Sequence, residues 1–113
     1  MEVETISLDE FVKQGNPPPN LIKMDIEGAE FDALNGAKEI LKTKKPIIFL
    51  ATHVDEVKKK CLGLLKEFNY KIEIIGNGSL EEADEFVCEW LRLKKKVKRI
   101  KYKRNENRLI KIR

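Results

Sequence analysis

Three side chains capable of acid–base chemistry lie where two apolar runs of the sequence end. Asp25 and Glu27 close the run that begins at Leu21, and His53 follows the run that begins at Ile47. Carboxylates can hold a cation or orient a hydroxyl, and an imidazole can take a proton from an attacking hydroxyl near neutral pH. If the two runs are neighbouring parallel strands, His53 should lie near Asp25. The pattern therefore predicts an acid–base site.

Each of these residues also has a purely structural interpretation. Asp25 could cap the helix that follows it, and Glu27 and Glu30 could complement the dipole of its first turn. His53 could be a polar cap at the end of a strand. The residue types and their spacing leave both interpretations open.

The segments that carry these residues alternate between strand and helix patterns. Residues 21–26 and 47–51 are nearly continuous apolar runs, typical of strands buried on both faces of a parallel sheet. Residues 27–42 repeat apolar positions every three or four residues, as does the segment after His53, which predicts two amphipathic helices. Residues 70–75 predict a third, more lateral strand. This order is typical of an α/β fold with parallel crossovers.

Further elements are predicted at both ends of this pattern. Residues 3–6 could form a short strand, and Ser7, with Glu10 three positions later, predicts the start of a helix. Residues 79–91 open with another Ser-x-x-Glu capping box and carry apolar residues at helical spacing. We therefore expect a helix there.

The composition describes a single globular unit. The 113 residues are 42% hydrophobic and 37% charged, which suits one domain over residues 1–113 with a modest core. No apolar run reaches the roughly 18 residues that cross a bilayer, and no signal peptide is evident, so we expect a cytoplasmic protein without a membrane span. Cys61 and Cys88 fall on predicted helices without C-x-x-C spacing, so we expect two buried, reduced thiols.

A strongly basic segment follows an acidic body. Residues 92–113 hold 12 Lys and Arg and one acid, a charge of +11, whereas residues 1–91 hold 11 bases and 18 acids, a charge of −7. Segments 97–103 and 108–112, separated by a polar turn, predict an antiparallel hairpin. Its cationic face could meet phosphates or be solvated. No recognisable RNA- or DNA-binding motif accompanies the charge, so nucleic-acid binding is not expected.

Residues 25–30, Asp-Ile-Glu-Gly-Ala-Glu, form the most specific motif and stand at a predicted strand-to-helix junction. With Leu-Ile-Lys before them and Leu-Asn-Gly-Ala shortly after, they closely resemble the signature of the FkbM methyltransferase family. Residues 3–11 resemble the family's Thr-x-Ser-Leu-Asp segment, and residues 45–53 resemble its following strand. The similarity covers residues 3–75.

The resemblance implies an S-adenosylmethionine-dependent methyltransferase that transfers its methyl group to a hydroxyl oxygen of a small molecule or glycan. Family members use a Rossmann-like sheet of seven strands, of which residues 21–26 would be the fourth and 47–51 the fifth. The chain would then be a partial, mostly parallel α/β sheet of later strands with flanking helices and a C-terminal antiparallel hairpin.

The resemblance also implies roles for individual residues. Asp25 would contact the cofactor or the acceptor, and Glu27 would orient a hydroxyl or help bind a divalent cation. His53 would be the general base. Gly28 is interpreted from its residue type, because glycine destabilises a helix and needs a reason to be there: it would let the start of the helix lie close to the sheet or the cofactor. The sequence does not decide whether a metal is needed.

Parts of the family pattern are missing from the sequence. The glycine-rich loop after the first strand and the ribose-binding acid after the second are absent, and Ala51 stands where the family often has Glu. The lone chain is therefore expected to be incomplete, with the edge of its fourth strand exposed, and to form a homo-oligomer or join a complementing chain. The alternative is a non-catalytic remnant that binds or oligomerises through its basic hairpin.

Overall fold

A computed structural model describes residues 5–91 and 109–112 of the chain. Helices and strands alternate along these residues, and none of the helices is long and apolar enough to span a membrane. The helices are α1 (Leu8–Lys13), α2 (Glu30–Asn35), α3 (Lys38–Thr43) and α4 (Asp55–Glu67). The strands are β1 (Leu21–Met24), β2 (Ile47–Ala51), β3 (Tyr70–Ile74), β4 (Glu85–Trp90) and β5 (Leu109–Ile112).

These strands form one sheet in the order β3-β4-β2-β1-β5. β1 pairs in parallel with β2 on one side and with β5 on the other, whereas β4 is antiparallel to both β2 and β3. β3 therefore points in the same direction as β1 and β2, at the edge of the sheet. The predicted partial Rossmann-like α/β fold is confirmed, and so is the lateral position of the third strand.

Helices cover one face of this sheet and form the core with it. Ile22 on β1 and both Ile48 and Leu50 on β2 are buried in the same cluster as Leu34, Leu41, Cys61 and Leu65 of the helices. The alternate strand residues Lys23 and Phe49 are exposed. The prediction that these strands are buried on both faces is therefore wrong, because nothing in the described part of the chain covers the second face.

The region after β1 contains two helices instead of the single helix predicted for residues 27–42. They separate at Gly36, where an added Cβ would lie only 2.8 Å from the Cβ of Ser7, so glycine permits the close approach of α1. The carboxylate of Asp9 then accepts two backbone N–H groups at the start of α3, each at 3.0 Å. The Ser-Leu-Asp segment thus caps α3 and fixes α1 against it.

The helix predicted for residues 79–91 is wrong, because a single turn there leads into β4. Ser79 does accept the N–H of Glu82 at 3.3 Å, as a capping box requires. Phe86 and Cys88 are nevertheless buried at alternate positions of a strand. In so short a segment the apolar residues fit both the helical and the strand period, and pairing with β2 and β3 decides between them.

The ends of the described structure agree only in part with the sequence. Ser7 caps α1 as predicted and accepts the N–H of Glu10 at 3.1 Å. Residues 5–6 are not in a strand, and the start of that predicted strand lies outside the described residues. The second arm of the predicted hairpin is β5, but residues 97–103 lie outside the described residues, so the antiparallel pairing stays a prediction.

β5 occupies the sheet edge that was expected to be open. It pairs with the whole of β1, and the N–H of Asp25 continues the ladder to the carbonyl of Ile112 at 3.1 Å. This is the side of β1 on which the resemblance places the family's first strand. The expectation of an exposed edge is therefore wrong for the described residues. The prediction of a homo-oligomer or a complementing chain was argued from this edge and is no longer supported by it.

Both cysteines are buried and unpaired, as predicted. Cys61 lies on α4, whereas Cys88 lies on β4 and not on the predicted helix. Burial raises the pKa of each thiol to about 12, with a smaller contribution from Glu30 at Cys61 and from Cys61 at Cys88. Both thiols are therefore protonated and inert at neutral pH.

Candidate active site at the carboxyl edge of the sheet

The carboxylates at the end of β1 lie on a tight turn before α2. The strand ends at Met24, two residues earlier than predicted, and Glu27 and Gly28 follow with positive φ angles of 48° and 100°. A left-handed conformation costs a residue other than glycine about 1 kcal/mol, so Glu27 is held there by its surroundings. The buried carboxylate of Glu30 accepts the Gly28 N–H at 2.8 Å and fixes the turn from inside the fold.

Gly28 serves this turn through its backbone conformation. A Cβ at this position would meet no atom within 4 Å. The prediction that glycine is needed for close packing of the helix start is therefore wrong, because the positive φ is what requires it. A contact between Gly28 and a cofactor stays a prediction.

The structural interpretations of Asp25 and Glu27 do not hold. α2 begins at Glu30, and its N-cap Ala29 provides no side-chain hydrogen bond, so Asp25 does not cap this helix. Glu27 precedes the first turn, whereas Glu30 and Asp32 lie in it. Because Asp25 and Glu27 are both exposed, their carboxylates are available to a ligand.

A groove of about 1040 Å³ opens beside this turn. Its acidic wall is formed by Asp25, Glu27 and Asp32, and no basic residue lines it among those described. Its volume is that of a small-molecule site, and it combines apolar surface with a few convergent polar groups. The large apolar residues of its wall come from α1 and the segment before it, the turn and β5, and are Ile6, Leu8, Phe11, Ile26, Ile110 and Ile112.

A second groove, of about 460 Å³, lies on the open face of the sheet. Lys23, Asp25 and Glu85 contribute its charged groups, and Phe49, 39% exposed, contributes an aromatic surface. Asp25 lines both grooves. A ligand in either groove can therefore reach this carboxylate.

His53 lies at the same edge of the sheet as Asp25. The register of β1 on β2 pairs Met24 with Leu50, which confirms that the two runs are adjacent parallel strands. His53 lines neither of the two grooves. Its Nδ1 lies instead 3.4 Å from Oδ2 of Asp84, and both side chains are more than half exposed.

The sequence does not reveal Asp84 at this edge, because the apolar spacing of residues 79–91 also fits a helix. The residue immediately precedes β4, and the antiparallel pairing of β4 with β2 brings it to the end of β2. There the N–H of Thr52 donates to the Asp84 carbonyl at 2.8 Å. The alternation of Phe86 and Cys88 is the signal that could have revealed the strand, and with it an acid beside His53.

A buried lysine fixes the turn that leads into Asp84. Lys58 on α4 is 6% exposed, and its Nζ donates to the carbonyls of Leu80, Glu81 and Ala83 at 3.3, 2.8 and 3.0 Å. A cation in the first turn of a helix is disfavoured by the helix dipole, whereas charge-assisted hydrogen bonds are strong. Lys58 therefore holds this turn in place.

We expect Lys58→Met to lower the free energy of unfolding by about 2–3 kcal/mol, because the three carbonyls lose a charged donor. Urea denaturation monitored by circular dichroism measures the change. The neighbouring Lys59 is exposed, so Lys59→Met is the matched control and should change stability by less than about 0.5 kcal/mol. Equal losses in the two variants would contradict the role given to Lys58.

A divalent cation finds no prepared ligand set in the residues that the structure describes. No group of three or more His, Cys, Asp or Glu side chains is arranged there to hold a metal ion. Two buried polar atoms, Oε1 of Glu30 and Oγ1 of Thr52, also lack a hydrogen-bond partner.

Comparisons with known proteins agree with the motif at this turn. The model of the family described as "Methyltransferase FkbM domain" matches residues 1–100. The hexuronic acid methyltransferase AglP of Haloferax volcanii is 34% identical over 88 residues, which are 77% of this chain and 35% of that protein. The chain thus spans about a third of the length of this relative. No solved structure matches the chain significantly. Since the family match covers most of the sequence, the chain belongs to the FkbM methyltransferase domain family.

Proposed function

We propose that the chain is part of an S-adenosylmethionine-dependent methyltransferase and that the carboxyl edge of β1 and β2 contributes to its active site. A methyl group passes there to a hydroxyl oxygen. The observation that carries the proposal is the groove beside Asp25 and Glu27, which joins carboxylates to apolar surface. It lies at the sheet edge where open α/β folds bind ligands. Membership of the family supports the transfer of a methyl group.

The first groove fits the chemical groups of this cofactor. S-adenosylmethionine carries a sulfonium cation, an ammonium group and ribose hydroxyls, and carboxylates attract the cations and accept hydrogen bonds from the hydroxyls. Its own carboxylate would have to lie away from this acidic wall. Asp25 and Glu27 would hold these groups, and the apolar wall suits the adenine ring. When bound, the cofactor supplies a methyl group activated by positively charged sulfur.

A further segment would complete the cofactor site. The sequence has no glycine-rich strand-loop-helix of the kind that approaches the methionine end of the cofactor. The relative is also much longer than the region it shares with the chain. We propose that this segment lies in the same polypeptide or in a partner, and the term assembled enzyme denotes the chain together with it.

His53 would act on the proton of the attacking hydroxyl. Its Nδ1 faces Asp84, so Nε2 is the nitrogen available to accept that proton. Nε2 would accept the hydroxyl proton while the oxygen takes up the methyl group that the cofactor supplies, and it would then pass the proton to solvent. A single base therefore balances the reaction.

The acceptor would be the hydroxyl of a sugar acid, since the name of the relative gives hexuronic acid as the compound on which that protein acts. The acidic first groove would repel an acceptor carboxylate. Lys23 is the only base among the described residues that line the two grooves, and it shares the second groove with Asp25. We propose that the carboxylate of a sugar acid would lie at Lys23.

Calorimetry with S-adenosylmethionine and S-adenosylhomocysteine on the assembled enzyme tests the proposal. We expect Asp25→Asn to weaken cofactor affinity about ten- to hundredfold, because a charge-assisted contact contributes about 1.5–3 kcal/mol. Glu67→Gln makes the same charge change on an exposed residue at the end of α4 and should leave affinity unchanged.

Two results would count against the proposal in different ways. Equal affinity in wild type and Asp25→Asn would remove Asp25 from the cofactor site. No binding of either compound by the assembled enzyme would contradict the methyltransferase itself and favour the non-catalytic binding module.

A further inference from the structure

We infer that Asp84 is a positioning residue for His53 and holds its imidazole in the tautomer that carries the proton on Nδ1. The inference rests on the proposed function, in which Nε2 accepts the proton of the acceptor hydroxyl. The 3.4 Å between Nδ1 and Oδ2 is slightly longer than a usual hydrogen bond. Catalytic hydrogen bonds are often long before a ligand binds, so the contact is consistent with such a role.

The backbone on both sides of Asp84 is fixed. Its carbonyl accepts the N–H of Thr52, the residue next to His53, at 2.8 Å. The preceding carbonyl, of Ala83, accepts a hydrogen bond from the buried Nζ of Lys58 at 3.0 Å. The main chains of Asp84 and His53 are therefore held in a constant relation, and only rotation of the two side chains can separate the carboxylate from the imidazole.

The chemistry of the pair selects one tautomer. An ionised carboxylate only accepts hydrogen bonds, so a neutral imidazole that hydrogen-bonds to it through Nδ1 carries its proton on that nitrogen. The lone pair of Nε2 is then free to act as the base. Because the side chains of His53 and Asp84 are 59% and 55% exposed, their contact contributes little to stability. Its effect is on orientation and tautomer.

Nitrogen-15 NMR of the imidazole tests this directly, because His53 is the only histidine in the chain and its ring signals need no assignment. At alkaline pH, where an imidazole is neutral, we expect the Nδ1–H form to dominate in the wild-type chain. In Asp84→Asn the side-chain amide can donate to Nδ1, so the population should move to Nε2–H. Glu85→Gln, on the next residue, is the matched control and should keep the wild-type tautomer.

The same tautomer in wild type and in Asp84→Asn would overturn the inference. Backbone amide spectra of the two chains check that the fold is retained, since the Asp84 carbonyl keeps its bond to Thr52 in either variant. In the assembled enzyme we expect Asp84→Asn to lower kcat about ten- to hundredfold, part of the contribution of a general base. The KM for the cofactor should stay unchanged.

The two measurements separate this inference from the proposed function. A tautomer change in an assembled enzyme that transfers no methyl group would support the pairing and contradict the function. An active enzyme in which Asp84→Asn leaves the His53 tautomer unchanged would contradict the pairing alone.

Discussion

In the assembled enzyme, we expect His53→Ala to lower kcat by about 10²–10⁴-fold, the usual contribution of a general base. The affinity for S-adenosylmethionine stays near its wild-type value, because His53 lines neither groove. Loss of kcat without loss of cofactor binding is the signature of a group that acts only on the reacting hydroxyl. Methyl transfer from labelled cofactor, together with calorimetry, measures the two quantities separately.

Added imidazole provides the sharper control for this prediction. His53 is exposed, so a small base can enter the space left by alanine and restore part of the rate. Structural damage would not respond to imidazole, and circular dichroism should show an unchanged fold because the side chain is outside the core. An unchanged kcat in His53→Ala would remove this residue from the mechanism.

The central strands and the longest helix follow from the sequence alone. Residues 47–51 form β2 with the predicted bounds, and the apolar stripe that includes Cys61 and Leu65 identifies α4. In α4 the helical period continues over enough residues to exclude a strand, whereas residues 47–51 are a continuous apolar run too short for a typical helix. Local pattern and tertiary packing give the same answer there.

Elements that depend on distant contacts could not be predicted in the same way. The break between α2 and α3 depends on Gly36 meeting Ser7, and the start of α3 depends on Asp9, 30 positions before Glu39. β4 is a strand because it pairs with β2 and β3, whereas its residues alone also fit a helix. None of these contacts can be recognised from the residues adjacent in the sequence.

The candidate site shows the same division. Asp25 and His53 were placed at one sheet edge correctly, because the carboxyl ends of adjacent parallel strands must meet there. Asp84 reaches that edge only through the antiparallel return of β4. The positive φ of Glu27 and Gly28 also depends on the buried Glu30, whose carboxylate holds the turn. The sequence therefore predicted the strand-end residues and missed those that orient them.

Phe86→Ala should lower the free energy of unfolding by about 3–5 kcal/mol, the usual cost of removing a fully buried aromatic side chain. Phe86 is completely buried and lies on β4 opposite both Leu50 and Ile74. The substitution leaves a large cavity between the sheet and its helices. A small shift of β4 cannot fill this cavity, because β2 and β3 hold β4 on both sides. Chemical denaturation of the chain measures the loss.

Phe49→Ala is the matched control, because Phe49 lies on the neighbouring strand but faces the open side of the sheet. At 39% exposure it should cost roughly 1 kcal/mol in this chain. A loss as large as that of Phe86→Ala would mean that something covers the second face. The same comparison in the assembled enzyme tests the missing layer, because open α/β sheets carry helices on both faces. If the added segment packs on this face, Phe49→Ala becomes several-fold more costly there, whereas the cost of Phe86→Ala stays the same.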